Sequence, residues 1–243
     1  MDSAALTVSD VTKYYGRTPV LHDVALKVEP GECFGLVGAN GAGKTTLIKC
    51  LLDLSRADRG RIELFGVDSR ETKARSRLAF LPERFTPPHH LNGWRFLRTM
   101  VDMYECGAGN AEIAAVVRSL DLSPGALNKP VRAYSKGMAQ KLGLAACLLS
   151  GKALLVLDEP MSGLDPKARA LVKQALAARK KAGQSLFFST HLLHDVDSLC
   201  DRLAILHGGR VVFSGSPAAC RATYHSTDLE KAYLAAINAT VVA

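Results

Sequence analysis

Residues 38–46 read Gly-Ala-Asn-Gly-Ala-Gly-Lys-Thr-Thr, and no other stretch constrains the chain so strongly. The apolar run Cys33-Phe34-Gly35-Leu36-Val37 precedes them, and Leu47, Ile48, Leu51 and Leu52 follow at helical spacing. A strand, a glycine-rich loop and a helix in that order belong to an α/β fold. Gly38, Gly43, Lys44 and Thr45 satisfy the phosphate-loop pattern. The glycines let the backbone curl, so that N–H groups along Gly38, Ala39, Asn40, Gly41, Ala42, Gly43, Lys44, Thr45 and Thr46 turn toward phosphate oxygens. The following helix adds the positive end of its dipole. In this chemistry Lys44 reaches the β/γ-phosphates and the Thr45 hydroxyl ligates Mg²⁺.

A second site follows about a hundred residues later. Ala153-Leu154-Leu155-Val156-Leu157 delivers two adjacent carboxylates, Asp158 and Glu159, to the end of an apolar strand. The carboxyl ends of strands are where α/β sheets bind ligands. Two neighbouring acids repel each other unless a cation is present. Asp158 is therefore expected to hold Mg²⁺, and Glu159 to polarise an attacking water.

The 243 residues carry 31 Lys+Arg against 23 Asp+Glu, with 48% apolar and 22% charged residues, an ordinary soluble balance that excludes disorder. A membrane span needs about 18 apolar residues. The longest candidate, 143–157, is interrupted by Ser150, Gly151 and Lys152, and the N-terminus lacks a secretory pattern. Six scattered cysteines without a Cys-x-x-Cys pair fit reduced thiols, and no Cys/His cluster has zinc spacing. These features predict a cytosolic protein. The basic stretch from Arg70 to Arg84 mixes five basic with two acidic residues and reads as a solvated face.

Alternation through Leu6, Val8, Val11 and then Leu21, Val24, Leu26 and Val28 predicts antiparallel strands around a turn at 15–19. Leu78–Leu81 is a further strand. Helical patterns occupy 93–105, 111–120 and 136–149, and strands return at 153–157, 185–189 and 203–206 around a helix at 167–182. This is βαβ logic interrupted by an all-helical insert. The expected division is a core over 1–86 and 151–225, a helical subdomain over 87–150, and a C-terminal helical tail over 226–243.

With these motifs in order, the chain resembles the ATP-binding cassette (ABC) family over nearly all its length. Tyr15 stands where the family places an aromatic that stacks on adenine, and Leu81-Pro82-Glu83 occupies its Q-loop position. Tyr134-Ser135-Lys136-Gly137-Met138-Ala139-Gln140 resembles the signature usually read Leu-Ser-Gly-Gly-Gln. Ser162-Gly163-Leu164-Asp165-Pro166 resembles the D-loop, with Asp165 in its place, and Ser189-Thr190-His191 the switch histidine. The resemblance implies a P-loop NTPase core, a mixed sheet flanked by helices, with an N-terminal antiparallel β-subdomain and an inserted α-helical subdomain. It implies ATP and Mg²⁺ as cofactors. It also implies two ATP sites at a dimer interface, where Ser135, Lys136, Gly137 and Met138 cap the γ-phosphate held by the opposite subunit. His191 is expected to hydrogen-bond the γ-phosphate. Ser135 is in any case a good N-cap, with an apolar stripe of Leu142, Ala145, Ala146 and Leu149 behind it.

Two residues depart from the family. Glu83 replaces a glutamine and brings a formal negative charge near Mg²⁺, which its carboxylate is able to ligate. Lys136 replaces the first signature glycine, placing a cation near the partner's γ-phosphate or in solvent. Both forms are similar to ATPase subunits paired with separate export-type permeases. The expected partners are a transmembrane permease on another chain and a second ABC subunit, identical or not, with no nucleic acid. The expected location is the cytoplasmic face of a membrane. The alternative is a soluble ABC ATPase acting on ribosomes or nucleic acid. The absence of Asn-Lys-x-Asp argues against a GTPase.

Overall fold

The structure is a computed structural model and describes residues 3–239. The ends of two sequence expectations, Met1-Asp2 of the N-terminus and 240–243 of the tail, lie outside the described residues.

Strands β1 (Leu6–Tyr15) and β2 (Thr18–Val28) pair antiparallel from Leu6↔Val28 to Tyr15↔Thr18, so the predicted turn shrinks to Gly16-Arg17. Their alternating apolar residues are buried. Strand β3 (Cys33–Val37) leads through the glycine loop into α1 (Lys44–Leu51). Next come β4 (Arg59–Leu64), β5 (Val67–Asp68) and the single turn α2 (Thr72–Arg75). Strands β4 and β5 extend the first sheet, in the order β2-β1-β4-β5. Neither is predicted from sequence, because Arg-Gly-Arg-Ile-Glu-Leu offers only Ile62 and Leu64 as a buried face. The basic tract beside them is largely neutralised locally. Arg70 pairs with Asp68 at 2.6 Å, Lys73 with Glu71 at 3.1 Å and Arg75 with Asp53 at 3.4 Å. Arg70 holds the Asp68 carboxyl down to about 2.

Strand β6 (Leu78–Leu81) opens onto the helical segment. It comprises α3 (Gly93–Tyr104), α4 (Asn110–Ser119), two 3₁₀ turns over Pro124–Asn128 and Val131–Ala133, and α5 (Lys136–Leu149). The expected stripe on α5 is wider than predicted, since every residue from Gln140 to Leu149 is buried. This helix is enclosed by α3 and α4 on the lobe side and by β6 of the sheet. The core then resumes with β7 (Leu154–Asp158), α6 (Pro166–Lys181), β8 (Ser185–Thr190), α7 (Leu193–Leu199) and β9 (Arg202–His207). The edge strand β10 (Arg210–Gly215) and helices α8 (Pro217–Thr223) and α9 (Leu229–Ala239) complete the described chain.

The second sheet runs β10-β9-β3-β8-β7-β6, parallel except for β10. Strands covered on both faces read as continuous apolar runs, and alternate residues divide between two cores. Phe34, Leu36, Leu154, Val156 and Phe187 pack toward α1 and the first sheet. Cys33, Val37, Leu155, Leu157, Leu186 and Phe188 pack with the helices on the other side. The six cysteines are free thiols, and burial pushes Cys50 up to about 11 and Cys147 up to about 12. No helix among the described residues is long and apolar enough to cross a membrane.

Candidate functional site

Parallel strands bring their carboxyl ends to one edge of the sheet, and Lys44, Glu83, Asp158, Glu159 and His191 all lie just beyond them. β3 ends in the phosphate loop, β7 in Asp158 and Glu159, β8 in His191, and β6 in Pro82-Glu83. Two glycines explain how the loop fits. A Cβ on Gly38 would lie 2.5 Å from the Leu206 carbonyl oxygen; one on Gly43, whose φ is +110°, would lie 2.8 Å from Leu21 Cδ2. Either would push the loop off the strand beneath it.

The Lys44 ammonium is only 6% exposed and arches back over its own loop. It donates to the Gly38 carbonyl at 2.7 Å and the Ala39 carbonyl at 3.2 Å, and lies 3.6 Å from Glu159 Oε1. Thr45 Oγ1 donates to Asp158 Oδ2 at 2.9 Å. Ser189 Oγ donates to Asp158 Oδ1, and accepts from the Glu159 backbone N–H at 3.0 Å. The two neighbouring acids thus avoid each other by pointing at different partners: Asp158 at the Thr45 and Ser189 hydroxyls, Glu159 at the Lys44 ammonium and the His191 ring.

Glu159 has φ +48°, a left-handed backbone in a non-glycine residue. Its two carboxylate oxygens each lie 3.0 Å from His191 Nδ1. A carboxylate only accepts, so Nδ1 carries the proton. The sequence reading gives His191 a γ-phosphate contact, whereas here its ring bonds Glu159. For Nε2 to donate to a phosphate as well, the ring must be doubly protonated.

Tyr15, Glu83 and Glu159 line one cavity of about 390 Å³ together with Ala39, Asn40, Gly41, Gly43, Lys44, Thr45 and Thr46. Tyr15 is 49% exposed, with Lys13 Nζ 5.6 Å from its ring centroid. Gly38 and Asp158 are reached through their bonds to Lys44 and Thr45, and Ala42 packs partly buried beneath the loop. Ser135, Lys136, Gly137 and Met138 are elsewhere. They form a separate cleft, also about 390 Å³, with Lys141, Gly163, Leu164 and Asp165. Ser135 caps α5 by accepting from Met138 N–H at 3.2 Å, and Asp165 caps α6 by accepting from Ala168 N–H at 2.9 Å. One chain therefore does not unite its phosphate loop with its own signature segment. His191 also borders a larger groove of about 690 Å³ between α6, α7 and α9.

Sequence reasoning missed Ser189, although it sits in the quoted Ser189-Thr190-His191 motif. It gave no role to Gln140 at the end of the signature segment, whose Nε2 donates to the Pro160 carbonyl at 3.2 Å. No pattern in the sequence announces a contact between residues twenty positions apart.

Residues 21–162, more than half the chain, match the family described as ABC transporter. An uncharacterized ABC transporter ATP-binding protein of Synechocystis is 40% identical over 82% of this chain. The Nod factor export ATP-binding protein I of Rhizobium etli is 35% identical over 89% of it. The chain spans 57% of the first relative's length and 70% of the second's. The solved structure of an ATP-binding subunit of an ABC transporter superposes with a TM-score of 0.84 at 30% identity, covering 96% of this chain and 99% of that one. The architecture is that of a P-loop NTPase, a mixed sheet with flanking helices and an N-terminal antiparallel sheet. The chain is an ATP-binding member of the ABC transporter family.

Proposed function

We propose that this chain is the Mg²⁺-dependent ATPase subunit of an ABC transporter, driving translocation, in the export direction, through a permease on a separate chain. The observation that carries the reading is the convergence of Lys44, Asp158, Glu159 and His191 at one sheet edge, with Lys44 3.6 Å from Glu159 and Thr45 2.9 Å from Asp158. In this reading Lys44 binds the β/γ-phosphates, Glu159 polarises the attacking water, and His191 orients Glu159 and contacts the γ-phosphate. Tyr15 stacks on adenine. A Rhizobium relative named for export supports the direction. The neutralised basic tract and relatives named as transporter subunits weigh against ribosome or nucleic-acid binding. We assign the core to 1–86 and 151–225, the signature lobe to 87–150 and the tail to 226–243. The chain works on the cytoplasmic face of the membrane.

The donor set fits Mg²⁺. Thr45 and Asp158 present hard oxygen ligands, and Glu83 lines the cavity that Thr45 borders. Such a sparse protein shell suits an ion that takes its remaining ligands from phosphates and water. When bound, Mg²⁺ neutralises charge on the β- and γ-phosphate oxygens. Glu83→Gln is expected to change the metal concentration needed for half-maximal turnover while leaving thermal stability unchanged. A Mg²⁺ titration of ATPase rate, with a melting curve beside it, checks this.

In this reading the partner chain supplies the membrane-spanning part. Affinity purification from membranes is expected to recover a multi-span protein in stoichiometric amount. Recovery of ribosomes instead would overturn the transporter reading.

A further inference from the structure

Glu159 is held in a conformation that its sequence context resists. Its φ of +48° is left-handed, and it precedes Pro160, whose ring drives a preceding residue toward extended backbone. Such strain persists only when surrounding contacts over-determine it. Upstream, the Glu159 N–H is fixed by Ser189 at 3.0 Å to the hydroxyl and 3.2 Å to the carbonyl. Downstream, the Glu159 carbonyl accepts from Ser162 N–H at 3.0 Å within the turn, and Pro160, which has no N–H, offers only its carbonyl. That carbonyl accepts from Gln140 Nε2 at 3.2 Å, and Gln140 is 3% exposed.

The same helix touches the far end of the turn. The Lys136 stem lies over Gly163, where an added Cβ would come within 3.2 Å of Lys136 Cε and 3.3 Å of Cδ. Lys136 makes no hydrogen bond or ion pair among the described residues, so this stem contact is what it contributes within the chain. Helix α5 therefore meets the segment after Glu159 at Pro160 and again at Gly163. It does so from the helical lobe, whereas Glu159 belongs to the core sheet.

We propose that Gln140, assisted by Lys136, is a positioning residue for Glu159: α5 grips the 160–163 turn at both ends, holds the left-handed backbone of Glu159, and carries movements of the helical lobe to that carboxylate. This rests on Glu159 being the base of the proposed reaction. The lobe and the reacting water are thereby linked by two contacts on one helix. A family-type glycine at 136 would leave only the Gln140 grip.

The test uses the full chain and compares Gln140→Met, Lys136→Gly and Lys136→Met, each alone and in a Glu159→Gln background. Misplacing a reacting group by about 1 Å costs up to roughly a hundredfold in rate, so Gln140→Met is expected to lower kcat about tenfold. KM and the Kd for ATP should stay within about twofold, because nucleotide contacts are untouched. In single turnover on the Glu159→Gln background the same change should cost less than about twofold, the non-additivity of residues acting through one group. Lys136→Gly should lower kcat about threefold, a smaller misplacement of the same kind, and Lys136→Met, which keeps the stem without the charge, should exceed Lys136→Gly in kcat. Wild-type kcat in a folded Gln140→Met overturns the proposal, as does an equal loss in both backgrounds, which marks a merely structural role. If Gln140→Met does not fold, the Lys136 pair decides: failure of methionine to rescue glycine overturns the stem contact. Full turnover by Glu159→Gln alone would sink the base assignment instead, a result distinguishable from all of these.

Discussion

Replacing Lys44 by alanine is expected to abolish nucleotide affinity and turnover together. The ammonium lies among the Gly38 and Ala39 carbonyls and the Glu159 carboxylate, and is itself almost fully buried. Without it, two carbonyl oxygens and a carboxylate face incoming phosphates with no cation between them. Charge-assisted hydrogen bonds are worth about 1.5–3 kcal/mol each, and more than one phosphate contact is lost. ATP affinity should therefore fall at least about a hundredfold, with turnover below detection. Circular dichroism should be unchanged, because the bonds the lysine makes are confined to two loop carbonyls and Glu159 and leave the flanking strand and helix ladders intact. Equilibrium binding of a fluorescent ATP analogue, run beside the ATPase assay, decides the matter. Unchanged activity would remove the phosphate-loop assignment.

Glu159→Gln should behave in the opposite way: binding persists and turnover becomes very slow. Glutamine keeps the shape and the capacity to accept from His191, but it is a poor base. Loss of general-base catalysis typically costs about 10²–10⁴ in rate. The phosphate-loop cavity and the signature cleft are separate within one chain. The family resemblance expects the Ser135–Gly137 helix start of a second copy or a related subunit to complete the ATP site. ATP should accumulate a closed dimer of this variant, visible by light scattering in Mg²⁺-free ATP at high protein concentration or within the reconstituted transporter. Adding Gly137→Asp should prevent closure without weakening ATP binding to the monomer. A Cβ at Gly137 meets nothing closer than 3.6 Å, so the variant folds and the new charge stands at the cleft. A Glu159→Gln chain that never closes, even in the assembled transporter, would be incompatible with a shared site.

The parts legible from sequence are those whose surroundings impose a local pattern. β3, β7 and β8 are buried on both faces and read as apolar runs, and the phosphate loop is written in glycine. β4, β5 and β10 escaped because they present a mixed or exposed face, with β10 showing only half-buried Val211, Val212 and Phe213. Helices α7 and α8 are each only seven residues long, too short to establish a periodicity. Within the site, Lys44, Thr45, Asp158, Glu159 and His191 were all legible as residue types in motif order. The Ser189 bridge, the direct bond from His191 to Glu159 and the strained backbone at Glu159 were not. Each depends on which side chain a distant strand brings alongside, and no window of sequence contains both partners.

The strand that carries the phosphate loop has an unusual dependence on synthesis. β3 is made among the first forty residues, yet its two sheet neighbours are β8 and β9, with Cys33 opposite Leu186 and Val37 opposite Ile205. Such distant pairing closes a very long loop and is intrinsically slow. A growing chain emerging from the ribosome holds Phe34 and Leu36 without sheet partners until β8 has emerged, a period in which exposed apolar strands invite aggregation. Nucleotide cannot assist at that stage, because the switch histidine and the floor under Gly38 are still missing, and at first the carboxylates are too. Folding of the helical lobe, whose contacts are local, is free to run ahead. The binding loop is thus written early and becomes competent last, after His207 has joined the sheet.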